Sequence, residues 1–271
     1  MFDLKRSDES DAVVSIASLS KRFSNGTLAV DNVSFDVPSG QVLGLLGLSG
    51  SGKSTLMRLI NGLQSPSSGH ATVLGKVVDE CDRSELRALR QQIGFVFQQF
   101  GLVGRSTCIE NVLVGALGRL RGPRLGVRTY SKTLRREALE HLERVGLASQ
   151  AFQRADTLSG GQMQRVAIAR SLMQQPRLLL ADEPVASLDP ESSVQVLDLI
   201  AKIAREDGMT VICSLHQVEL ALGRTDRVIG LRAGSVVLDT PTAGVDPQRV
   251  MDLYRRSELV EEAPPRVLYS A

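Results

Sequence analysis

The sequence predicts an α/β fold: a parallel sheet faced by helices, with a mostly helical lobe inserted between its halves. Three observations predict it. Short apolar runs alternate with segments of helical spacing, as at Arg177 to Ala181, Glu191 to Glu206 and Thr210 to Leu215. A glycine-rich loop joins the apolar run Gln41 to Leu46 to a helical pattern over Lys53 to Asn61. From Ser84 to about Gly160 the texture changes to arginine-rich helical segments separated by glycines. Strand–helix alternation implies parallel strands, because each crossover helix returns the chain to start the next strand in the same direction.

Taken in order, residues 1–12 read as a polar tail. Val13 to Ser18 and Ser34 to Val37 cluster β-branched residues between turn signals, with Asn25-Gly26 and Pro38-Ser39-Gly40 as the turns. The helix from Lys53 ends at Gly62. In the lobe, Leu134, Ala138, Leu142 and Val145 share one face of a helix spanning Lys132 to Val145. Gly161 to Met173 is helical, and Arg227 to Leu231 with Ser235 to Asp239 forms a closing hairpin about Ala233-Gly234. Asp246 to Arg256 reads as a helix, and Glu258 to Ala271 as a loose tail. The resulting division is a tail at 1–12, one domain at 13–240 with the lobe at about 84–160, and a C-terminal helix and tail at 241–271.

Composition narrows the function. The chain has 271 residues, 42% hydrophobic and 23% charged, enough to bury a sizeable and mainly aliphatic core, since there is no tryptophan. A net charge of +2 argues against a broad nucleic-acid-binding face, and no nucleic-acid partner is expected. Cys81, Cys108 and Cys213 form no C-x-x-C pair and read as reduced cytosolic thiols. No signal peptide or membrane-spanning run is present, so work at a membrane requires another subunit to hold the chain there.

Gly47-Leu48-Ser49-Gly50-Ser51-Gly52-Lys53-Ser54 fits G-x-x-x-x-G-K-[ST], a phosphate-binding loop. Glycines let consecutive backbone N–H groups converge on phosphate oxygens, and the following helix turns its positive end toward the same anion. Lys53 is placed to reach the β- and γ-phosphates and Ser54 to ligate Mg²⁺. The nucleotide-binding set runs on to Thr55. Leu178 to Ala181 is an apolar strand ending in Asp182 and Glu183, at the edge where α/β sheets bind ligands. There Asp182 suits magnesium, and Glu183 suits orienting or deprotonating a water. Leu158-Ser159-Gly160-Gly161-Gln162 opens another helix with a serine hydroxyl and two residues lacking side chains, a second anion site on one chain.

With these motifs the chain resembles the ATP-binding subunits of ABC transporters, whose signature reads LSGGQ, over roughly residues 13–240. The resemblance implies a P-loop NTPase with a RecA-like core and an N-terminal antiparallel β subdomain. It implies ATP and Mg²⁺ as ligands and adds Gln98, after the run Ile93 to Phe97, as a residue for metal and water. It adds His216 as a catalytic residue, Asp189 in a loop that communicates across a dimer, and Phe23 as the aromatic that stacks on adenine. It further implies a head-to-tail homodimer, with ATP between the phosphate loop of one copy and Ser159 to Gln162 of the other. Integral permease subunits would hold this dimer at the cytoplasmic face of the inner membrane, with a periplasmic binding protein on the far side.

Phe97 to Arg105, Glu110 to Leu120 and Cys213 to Glu219 are similar to the phosphonate-import branch. Gly101, where a polar residue is expected, and Ser106, where an apolar one is, depart from it. Other importers, for phosphate, amino acids or methionine, remain alternatives, as does a non-transport ATPase. Neither the long coiled coil nor the second motif set of the non-transport classes is present.

Overall fold

The computed structural model describes residues 12–120, 126–248 and 250–251. In chain order its elements begin with β1 (Ala12–Arg22), β2 (Leu28–Pro38), β3 (Val42–Leu46), α1 (Lys53–Ile60), β4 (Ser68–Val73), β5 (Lys76–Val77), α2 (Arg83–Arg90) and β6 (Ile93–Val96). There follow α3 (Cys108–Val114), α4 (Lys132–Arg144), α5 (Gly160–Leu172), β7 (Leu178–Ala181), α6 (Pro190–Asp207), β8 (Thr210–Leu215), α7 (Val218–Leu222), β9 (Arg227–Arg232) and β10 (Ser235–Pro241).

Two sheets result. The antiparallel one has the order β2-β1-β4-β5; the other runs β10-β9-β3-β8-β7-β6, parallel except for β10. The central strands β3 and β7 are apolar throughout because both faces are covered. Leu43 and Leu45 of β3 enter the core shared with α1 and the antiparallel sheet, while Val42 and Leu46 enter the core shared with the other helices. β7 divides in the same way, Leu178 and Leu180 against Leu179 and Ala181. Each such leucine, 0–1% exposed, contributes roughly 1.5–3 kcal/mol relative to an exposed one.

The α/β class, the antiparallel N-terminal sheet and the inserted helices are as expected. β1 and β2 are longer than expected, since four register shifts along the pair interrupt the simple alternation that marks a strand. Within the range expected for the lobe, β6 pairs with β7 in the parallel sheet, so the lobe proper begins after it. On α4, Ala138 and Leu142 are fully buried and Leu134 packs against the same core, confirming the face read from spacing. The helix expected from Asp246 lies mostly outside the described residues, as does the tail at 1–12; Val250 is buried against the core.

Candidate nucleotide site at the carboxyl edge of the parallel sheet

β3, β7 and β8 deliver the candidate residues to one edge. Gly47 follows β3, Asp182 and Glu183 follow β7, and His216 follows β8. The loop from Gly47 to Gly52 is held from behind. Gly234, in the β9–β10 turn, donates its N–H to the Ser51 carbonyl at 3.1 Å and accepts from Asp31 of β2 at 2.9 Å. Gly52 has φ +106°, and a Cβ there would lie 2.3 Å from the Ala29 carbonyl oxygen. Gly52→Ala is therefore expected to lower unfolding free energy by about 1–3 kcal/mol for backbone strain, with the clash in addition. Denaturant titration of the nucleotide-free protein measures it.

α1 is left uncapped. Gly52 offers no side-chain cap and the first turn carries no acid. By contrast α2, α3 and α5 begin with reciprocal capping boxes, Asp82–Glu85, Thr107–Glu110 and Ser159–Gln162. The free N–H groups and positive end of α1 thus face the loop, where an anion satisfies them. Ser51 Oγ is buried without a partner in the same loop, and a Cβ on Gly47 would lie 2.1 Å from it, so the cradle is closed to side chains.

Lys53 is 3% exposed; its Nζ donates to the carbonyls of Gly47 at 2.6 Å and Leu48 at 3.0 Å and stands 3.8 Å from Glu183 Oε1. Burial lowers its pKa, opposed by the charges of Glu183 and Asp182. Glu183 Oε1 lies 2.6 Å from His216 Nε2. The Glu183 backbone has φ +49°, a left-handed conformation unusual outside glycine. Ser54 Oγ donates to Asp182 Oδ1 at 3.0 Å. The structure therefore joins Lys53, Ser54, Asp182, Glu183 and His216 into one cluster.

The other candidates stand around it. Gln98 is exposed just beyond β6, whose Val96 carbonyl accepts from the Asp182 N–H at 2.9 Å. Phe23 lies in the β1–β2 turn, half-buried, with Lys21 Nζ 5.6 Å from its ring centre. Thr55 is half-buried in the first turn of α1. Ser159 is exposed at the start of α5; its hydroxyl accepts from the Gln162 N–H at 3.3 Å, and Gln162 Oε1 accepts from the Ser159 N–H at 3.0 Å. This capping box leaves the N–H groups of Gly160 and Gly161 unused. Gly160 abuts Leu188, and Asp189 caps α6 by accepting from the Ser192 N–H at 2.9 Å; the Ser192 side chain and then this N–H lower its pKa. Among the described residues no hydrogen bond joins the segment from Ser159 to Gln162 to the phosphate loop.

Two residues were missed. Ser214 of β8 is fully buried and hydrogen-bonds both Asp182 and the Glu183 backbone; a lone serine in an apolar strand is too weak a signal to single it out. Arg170 of α5 donates to the carbonyls of Phe100 and Gly101, which both have positive φ. This accounts for glycine at 101. Phe97, Gly101, Val114 and Arg170 line a groove of about 390 Å³ between the sheet edge and the lobe.

The donor set fits Mg²⁺ shared with phosphates. Among the described residues no group of three or more His, Cys, Asp or Glu could enclose a metal. One carboxylate and a serine hydroxyl are hard oxygen donors, and Mg²⁺ completes its octahedron with water and phosphate oxygens.

The ABC transporter family profile matches residues 30–186. The chain is 60% identical to the phosphonates import ATP-binding protein PhnC of Frankia casuarinae, covering 91% of this chain and 97% of that one. It is 58% identical to the phosphate-import ATP-binding protein PhnC of Mycolicibacterium smegmatis, over 92% and 94% of the two chains. A solved dimeric ATP-binding cassette in a post-hydrolysis state, bound to ADP and Pi, superposes with a TM-score of 0.74 at 34% identity, covering 86% of this chain and all of that one. Two independent lines, the matched motifs set around one sheet edge and this extent of similarity, lead to one conclusion: the chain belongs to the ABC transporter family, among its ATP-binding subunits.

Proposed function

We propose that the chain is the ATP-hydrolysing subunit of an importer for phosphonates or closely related phosphorus oxyanions. The observation that carries the enzymatic half is the contact of Glu183 with His216 beside Lys53, at the uncapped start of the helix that follows the phosphate loop. The loop amides and Lys53 bind the triphosphate, Phe23 stacks on the base, and Ser54, Asp182 and Gln98 would hold Mg²⁺. Bound there, Mg²⁺ supplies charge neutralisation on the phosphate oxygens. Glu183 accepts a proton from the attacking water, and His216 fixes the carboxylate that does so.

The incomplete site explains the dimer. Ser159 to Gln162 have no phosphate to meet within their own chain, so their free amides serve the nucleotide of a second copy. Asp189, beside that segment, carries the state of one site to the other. Among the described residues no helix is long and apolar enough to cross a membrane. As in the family, a permease pair would hold the dimer at the cytoplasmic face of the inner membrane, docking at the groove near Phe97 and Gly101. A periplasmic binding protein delivers the cargo to that permease.

The cargo reading follows the Frankia relative. The Mycolicibacterium relative, nearly as similar and named for phosphate, supports phosphate as the second reading. Uptake of labelled methylphosphonate and of phosphate by a strain lacking the chain, each with and without complementation, separates them. Loss of phosphonate uptake alone is expected; loss of phosphate uptake alone would establish the second reading.

A further inference from the structure

β8 carries the polar Ser214 next to its end and His216 directly follows the strand, so continuing its two-residue period puts both on the same side. His216 meets the Glu183 carboxylate. Ser214, 0% exposed, sits beside Asp182, since Ala181 pairs with Cys213 one residue earlier. Its Oγ accepts the Glu183 N–H at 2.7 Å and donates to Asp182 Oδ1 at 2.9 Å. A hydroxyl has one proton, so these two bonds fix its direction. Asp182 Oδ1 then receives two hydroxyl protons, from Ser214 and Ser54, and Oδ2 makes no hydrogen bond among the described residues. The same hydroxyl anchors the N–H of Glu183, the residue with left-handed backbone.

We propose that Ser214 is a positioning residue that ties the metal-side carboxylate of Asp182 to the backbone presenting Glu183. One buried hydroxyl thereby sets both halves of the hydrolytic site while touching neither nucleotide nor water. With Oδ1 occupied, Asp182 presents Oδ2 outward in a single orientation. The proposal rests on the reading of Mg²⁺-dependent ATP hydrolysis given above.

The test compares Ser214→Ala and Ser214→Cys with the wild type. Cysteine keeps the shape of serine with a slightly larger atom at its tip but is a weak donor and acceptor. ATP affinity is titrated in Mg²⁺ and again in EDTA, and turnover is measured alongside. In EDTA both variants are expected to bind ATP within about twofold of wild type, because the phosphate loop is untouched. The gain in affinity on adding Mg²⁺ is expected to fall about tenfold in both, the lower end of losses seen for outer-shell partners of metal ligands. Turnover is expected to fall about as far, and KM for Mg²⁺-ATP to rise in step with the lost affinity. Recovery of the wild-type Mg²⁺ gain in the cysteine variant would assign the effect to packing and overturn the proposal. So would equal losses in Mg²⁺ and EDTA, or no loss in either. A wild-type protein whose ATP affinity does not respond to Mg²⁺ would overturn the hydrolysis reading itself, and this proposal with it.

Discussion

Glu183→Gln is expected to bind ATP at least as well as the wild type yet turn it over about 10²–10⁴-fold more slowly, the range for loss of a positioned base. The side chain is 16% exposed, and its Oε1 lies 2.6 Å from His216 Nε2 and 3.8 Å from Lys53 Nζ. Glutamine keeps the length and the reach but cannot take up a proton. It also removes a negative charge that faces the incoming phosphates, so ATP affinity holds or rises. With hydrolysis blocked, the sandwiched nucleotides persist, and a dimer accumulates that the wild type forms only transiently. Size-exclusion chromatography in Mg²⁺-ATP, with phosphate release measured on the same samples, reads both effects. Turnover within tenfold of wild type would remove Glu183 from the role of base.

Much of this site was legible in the sequence because its residues sit at fixed offsets from strand ends. Gly47 to Ser54, Asp182 with Glu183, and His216 each follow an apolar run, and a parallel sheet brings such ends together. Ser214 was not legible as a site residue. Its function depends on the register of β7 against β8, and a lone serine in an apolar strand does not announce register. The support of Gly52 and Ser51 by Ala29 and Gly234 was hidden for the same reason, since it joins segments of both sheets. Among the elements, Thr210–Leu215 was read with its observed ends, because a helix and a polar loop bound it sharply. β4 was missed, since the segment SGHATV is too polar to resemble a core strand. On the proposed reading a further gap has its cause in the dimer: Ser159 to Gln162 would form half of a site whose other half belongs to a second copy.

Lys53→Ala is expected to weaken ATP binding by about 10²-fold or more, since charge-assisted hydrogen bonds to phosphate are worth roughly 1.5–3 kcal/mol each. The ammonium is held by the carbonyls of Gly47 and Leu48, with Glu183 and Asp182 nearby. Burial lowers its pKa, the charges of Glu183 and Asp182 oppose that shift, and the two carbonyls hold the ammonium beside the loop. ADP binding should suffer less than ATP binding, because the γ-phosphate brings the larger charge closest to Glu183. Removing Lys53 also leaves that carboxylate without its neighbouring cation, so part of the loss is new repulsion rather than a lost bond. It follows that Lys53→Ala and Glu183→Gln are not additive. In the double variant the carboxylate is gone, and ATP affinity should recover part of what Lys53→Ala removed. Calorimetric titration of the four proteins gives the coupling energy directly. Additive losses would mean that Lys53 and Glu183, 3.8 Å apart, act on the nucleotide independently.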